Sequence, residues 1–188
     1  MQKIEHYIDY SLGRKMSAKS EQTSFVFANI KSRVHQAISQ LKHITNVESV
    51  TPVTGRFDVV IKLRTNDPEK AFNAVEKIRE IDDVTATQTG LSLQHVSSPH
   101  EGEREQPIAF SLMKVKGTIS EILHKLKSFP NFLEANVIPG EFDIVAAFRG
   151  HNPKEVLETS VDKIGSINGI TANETLIAWN PTTSESRQ

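Results

Sequence analysis

The sequence contains no cysteine. That excludes disulfides, Cys-ligated zinc, iron–sulfur clusters and thiol catalysis, and it fits a reducing compartment. An excess of either charge is also missing, with 22 Lys+Arg against 23 Asp+Glu. No basic surplus is available to neutralise phosphates, so the composition lacks the electrostatic footprint of a nucleic-acid binder. No run approaches the roughly 18 apolar residues that a membrane-spanning helix needs. The opening stretch carries acids and no continuous apolar core, so it does not read as a secretory signal. The expectation is a cytoplasmic protein with no membrane contact. Nucleophile elbows, phosphate loops and dinucleotide fingerprints are absent too. None of the seven histidines pairs at i, i+4 around a glutamate, as a zinc protease needs. No catalytic residue, cofactor or metal ligand is therefore expected.

What is present is a duplication. Val53–Arg64 reads VTGRFDVVIKLR, and 85 positions later Ile138–Arg149 reads IPGEFDIVAAFR. Gly55 matches Gly140, Phe57 matches Phe142, Asp58 matches Asp143 and Arg64 matches Arg149. A glycine between two strand-like runs predicts a tight hairpin corner.

The flanks repeat as well. Phe25–Lys31 alternates as a strand, with Phe25, Phe27 and Asn29 on one face and Val26, Ala28 and Ile30 on the other. Val34, Ala37, Ile38 and Leu41 form a helical stripe opened by Ser32 or Arg33. Val47–Val53 is a second strand, and its Pro52 suggests an edge. Phe57–Arg64 is nearly all apolar and reads as central. Asp67 caps a second helix, with Pro68 at its first position and Phe72, Val75 and Ile78 as its buried stripe. Val84–Leu93 is a fourth strand. In the second copy Phe110–Lys116 matches the first strand. Thr118 and Glu121 predict a capping box before a stripe of Ile119, Ile122, Leu123 and Leu126. Leu133–Ile138 and Phe142–Arg149 are the next strands. Asn152-Pro153 opens a helix lined by Leu157, Val161 and Ile164, and one inserted residue shifts the offset to 86. Ile170–Trp179 is the last strand.

The order strand, helix, strand, strand, helix, strand predicts an α+β class protein of two tandem ferredoxin-like βαββαβ sandwiches. The expected division is 1–24 as an N-terminal helix and tether, 25–94 as the first domain, 95–107 as a polar linker, 108–180 as the second domain and 181–188 as a disordered tail. Ile4, Tyr7, Ile8 and Leu12 form the stripe of the N-terminal helix. It reads as docking on the domain or a partner chain. A DNA-binding headpiece is the sharper alternative, with no room for its second helix.

The Gly-x-Phe-Asp hairpin, the helix opened by Asp-Pro and the alternating threonines of the last strand resemble the ligand-binding (RAM) domain of Lrp/AsnC transcription regulators. The resemblance covers Phe25 to about Gln94 and again Phe110 to about Trp179. It implies domains that dimerise with their sheets facing, often assemble further, and bind a small effector, frequently an amino acid, near the corner. By resemblance the effector loop is Gly55, Arg56, Phe57 and Asp58, with Thr87 and Thr89 as pocket-facing positions. In the second copy the corresponding residues are Gly140, Glu141, Phe142, Asp143, Asn173 and Thr175. Glu141 for Arg56 reverses charge at the corner, which predicts two sites that differ. Family regulators carry a helix-turn-helix domain ahead of this unit. None is visible in the sequence, so direct DNA binding is not expected.

Each residue also has a plain structural reading. An Asp after a corner often bonds local backbone N–H groups. The threonines are β-formers that suit a solvated sheet face. The functional expectation is a non-catalytic effector-sensing module that regulates transcription as a homo-oligomer or with a related regulator. The alternatives are an assembly protein that keeps only its association surfaces, and a small enzyme on the same fold.

Overall fold

The computed structural model describes residues 21–98, 108–150 and 153–179. The sequence-predicted N-terminal helix, most of the linker, the Asn152 cap and the tail lie outside those residues. In chain order the elements are β1 (Gln22–Ile30), α1 (Val34–Lys42), β2 (Val47–Thr54), β3 (Val59–Thr65), α2 (Pro68–Arg79), β4 (Val84–Leu91) and β5 (Gln94–Ser97). They continue with β6 (Ala109–Val115), α3 (Ile119–Lys127), β7 (Phe132–Val137), β8 (Ile144–Phe148), α4 (Pro153–Glu158) and β9 (Ile170–Ala178). Apart from β5, this is the βαββαβ order twice.

The strands form one nine-stranded antiparallel sheet, β4-β1-β3-β2-β9-β6-β8-β7-β5. It doubles over, so that the helix-free faces of the two halves pack together. Phe25, Phe27, Val53 and Val60 of the first half share one buried cluster with Phe110, Leu112, Val145 and Leu176 of the second. The Phe27 and Phe142 rings meet edge-on at 6.5 Å between centroids. Two further cores lie under the helices, one per half. Burial on both faces explains why β1 has five successive buried residues where a half-exposed strand would alternate.

The halves exchange strand ends. β4 pairs with β1, then the chain crosses over and β5 pairs with β7. β9 pairs with β6 and ends beside β2. Leu93 N donates to Val137 O at 2.9 Å, and its counterpart Trp179 N donates to Pro52 O at 3.0 Å. These matched bonds define an internal two-fold axis. His95–Ser97, read from sequence as linker, are strand because the β7 edge satisfies their backbone groups.

Three local expectations need correction. Phe72 and Leu157 are not buried: they are 60 % and 46 % exposed. Ala71 and Ala74 join the expected Val75 and Ile78 on α2, and Val156 is the buried residue beside Leu157 on α4. Thr118 caps α3 without a side-chain hydrogen bond, so no capping box forms. The residue inserted in the last helix is absorbed by a π-helical stretch, Thr159–Ile164, directly after α4. The Asp67 cap is as expected, its carboxylate accepting from Glu69 N at 2.9 Å.

Candidate functional site

The two hairpin corners meet across the internal axis. Arg56 and Glu141 are equivalent by position and form an ion pair with each other. Arg56 Nε also lies 3.5 Å from Glu174 Oε2 on β9. Its guanidinium sits 4.9 Å from the Phe57 ring centroid and 4.8 Å from that of Phe142, a cation–π contact on each side. The reversed charge noted in the sequence is thus one complementary pair.

Gly55 has φ +130°, and a Cβ there would lie 2.8 Å from Leu176 Cδ2. Glycine is therefore required both by conformation and by close approach. Gly140 has open space ahead of it, with only Ile138 O at 3.8 Å.

Asp58 and Asp143 both turn inward to the backbone. Asp58 Oδ2 accepts from Ile30 N at 2.7 Å, and Asp143 Oδ2 accepts from Val115 N at 2.8 Å. These amides lie where β1 and β6 shift register against β4 and β9. The β-bulge leaves an N–H without a ladder partner, and each aspartate supplies one. Lys114 Nζ adds contacts to Gly140 O at 2.8 Å and Asp143 Oδ1 at 3.3 Å.

Thr87 and Thr89 do not face the corners. They pair with Ala28 and Val26, which belong to the core under the first helices, and cross-strand partners share a face. Thr87 Oγ1 accepts from Arg79 Nε at 2.9 Å. Asn173 and Thr175 pair with Met113 and Ser111, again on the helix face. The structure therefore brings together Arg56, Phe57, Glu141 and Phe142. It points the four strand residues to the opposite face of the sheet.

Sequence reasoning missed a cleft of about 690 Å³ at the other end of the first half. Its walls are Glu21–Thr23, Asn66–Pro68 and Ser92–His95. Three short, ordinary stretches meet there because β1 begins, α2 begins and β4 crosses over at the same end of the sheet. No single stretch carries a signal. Behind the cleft, the buried Asn136 carboxamide oxygen accepts from Ser92 Oγ at 2.9 Å and sits 3.1 Å from His95 Nδ1. Beside it Lys62 reaches both oxygens of Glu134 at 2.8 Å, joining the two halves.

Arg64 pairs with Glu48 at 2.8 Å and Glu21 at 3.2 Å, and its pKa is raised, first by the Glu48 hydrogen bond. Arg149 donates to Pro130 O at 3.2 Å. Asp83, nearly buried below α1, accepts from Ser32 Oγ at 2.7 Å and pairs with Arg33 at 2.9 Å. The Ser32 hydroxyl, then Arg33, hold its carboxyl below the usual carboxylate range. Among the described residues no cluster of His, Asp and Glu is placed to hold a metal ion, and no helix is long and apolar enough to cross a membrane.

The family model of the Lrp/AsnC ligand binding domain matches residues 23–100. The HTH-type transcriptional regulator FL11 of Pyrococcus furiosus is 38 % identical over 71 residues, which are 37 % of this chain and 46 % of that protein. The regulator of the same name from Pyrococcus horikoshii is 29 % identical over 128 residues, 63 % of this chain and 83 % of that one. The match thus spans less than half the length of the P. furiosus protein. Among solved structures, the siroheme decarboxylase NirDL in complex with an iron-uroporphyrin III analogue superposes with TM-score 0.62 and 10 % identity. The superposition covers 85 % of this chain and 72 % of that one, a likeness of fold. Residues 23–100 of this chain match the Lrp/AsnC ligand-binding domain, and residues 108–150 and 153–179 repeat its order of strands and helices.

Proposed function

We propose that this chain is a cytoplasmic, non-catalytic effector sensor. It binds a small metabolite, an amino acid by its chemistry, and passes that state to transcription through its oligomeric surface or a related regulator. The observation that carries this reading is the match of residues 23–100 to the Lrp/AsnC ligand-binding domain. The naming of its Pyrococcus relatives as transcriptional regulators supports it.

The 690 Å³ cleft suits such a ligand. Small-molecule sites commonly occupy about 300–1,000 Å³. Glu21 and Asp67 place carboxylates along its walls, where they can accept from an ammonium group. Leu93, 67 % exposed, supplies an apolar wall. A second reading puts the effector at the corner residues Gly55 to Asp58 and Gly140 to Asp143. It is favoured by the mixed charges of Arg56, Glu141 and Glu174 on one rim.

Calorimetric titration against the twenty amino acids tests the proposal. Heat lost in Leu93→Trp but kept in Arg56→Ala supports the cleft, and the reverse supports the corners. No heat with any amino acid, from folded protein, refutes the amino-acid reading.

A further inference from the structure

We infer that the sheet face of each half is matched to the other half and rejects a copy of itself. The residues that meet across the internal axis carry this, because exchange of one half for the other can be read directly from the 85- and 86-residue offsets.

The first observation is charge. The first half contributes cations to the seam, Arg56 and Lys62, and the second contributes carboxylates, Glu141, Glu174 and Glu134. Arg56 and Glu141 are equivalent positions. Pairing two first halves would set Arg56 against Arg56, and pairing two second halves would set Glu141 against Glu141. Lys62 and Glu134 lose each other as well, and Lys62 keeps only the longer 3.8 Å contact to Glu48 of its own half. Position 49, the counterpart of 134, is Ser, and position 147, the counterpart of 62, is Ala. The side chains of Lys62 and Glu134 are only 16 % and 19 % exposed, so each would be a largely buried charge without its partner across the seam.

The second observation is shape. Gly90 lies against Ile138, and a Cβ at Gly90 would be 3.0 Å from Ile138 Cβ. The counterpart of Gly90 is Leu176, and the counterpart of Ile138 is Val53. Leu176 and Val53 share the central cluster. Large therefore meets small on both sides, in opposite order. Two first halves would place Gly90 beside Val53 and leave a void. Two second halves would place Leu176 on Ile138 and collide.

Charge and volume thus select the same pairing. The partner that fits the first-half face presents carboxylates opposite Arg56 and Lys62 and a branched aliphatic side chain beside Gly55. Within this chain, residues 108–179 are that partner. A second copy, or a related regulator, must then be engaged through a surface other than this seam.

The test begins with a protease site placed in residues 99–107 of the full chain, cut after folding. Cut protein of natural isotopic composition is mixed with cut 15N-labelled protein and weighed by native mass spectrometry. Pairs that join a labelled half to an unlabelled one report exchange, driven to completion by unfolding and refolding the mixture. They are expected to hold one first half and one second half, with like pairs at least about tenfold below their statistical share. Like pairs in statistical proportion overturn the inference. The uncut chain offers an independent test in a Glu174→Gln background. Arg56→Glu and Glu141→Arg should each lower the Tm, and the double reversal should restore at least half of the summed loss. Simple additivity of the two losses overturns it.

Discussion

If Asp58 serves the fold, Asp58→Ala must destabilise the chain whether or not a ligand is present. Its carboxylate accepts from Ile30 N at 2.7 Å in a part-buried setting. Removing it leaves an amide at a strand irregularity with no replacement acceptor. A hydrogen bond to a charged group contributes about 1.5–3 kcal/mol. For a chain of this size each kcal/mol moves the Tm by about 2–4 °C, so the expected drop is about 3–12 °C. Asp143→Ala should match it, since its bond to Val115 N is the same contact at 2.8 Å. The exposed Lys114 contact adds at most about 1 kcal/mol. Asp58→Asn keeps one oxygen acceptor and should recover part of the loss. Urea unfolding, with an unchanged m-value as the check on compactness, measures all three variants. Losses below about 0.5 kcal/mol for both alanine variants, the range of ordinary surface changes, would refute the structural role and return both carboxylates to the ligand.

Other consequences follow from the same geometry. Asp83 has a depressed pKa, so its contribution to stability is present above its unfolded value of about 3.9 and is lost as pH falls through the folded value. Asp83→Asn should therefore flatten the acid limb of the stability curve below about pH 4, and parallel acid limbs would contradict this. Gly55→Ala meets Leu176 and a positive φ and should cost about 1–3 kcal/mol. Gly140→Ala, with open space ahead of it, should cost less in the same urea assay. Phe72→Ser, on an exposed helix position, should change stability by no more than about 0.5 kcal/mol. Phe27→Ala, in the seam between the sheets, should cost about 3–5 kcal/mol.

The repeat was legible because local chemistry marks it. Gly55 and Gly140 mark the corners, Asp67-Pro68 opens α2, and the stripes of α1 and α3 follow a helical period. Those signals depend on neighbours within a few residues. They recovered the two βαββαβ units and the first-strand faces, Phe25 and Phe27 on one side and Val26 and Ala28 on the other. The threonines misled on direction. Thr87 and Thr89 lie on β4 with the right alternation, but alternation does not say which face is which. Phe72 misled for the same kind of reason: α2 buries Ala71 and Ala74 together with the expected Val75 and Ile78, and Phe72 falls just off that stripe.

What only the tertiary structure decided is everything that spans the axis. By itself the sequence determined two copies of one unit, each with an apolar strand set, a glycine corner and a carboxylate beyond it. It also displayed Arg56 and Glu141 as a mismatch between copies, because comparing copies in alignment treats each residue alone. Folding places those two residues against each other, and the mismatch becomes complementarity. The physical reason is that a residue near a two-fold axis is its own counterpart's neighbour, a relation set by how the sheets pack and invisible in linear order. The cleft beside Leu93 and the exchange of β5 for linker have the same origin. Both depend on where distant strand ends arrive and on which backbone groups still lack partners when they do.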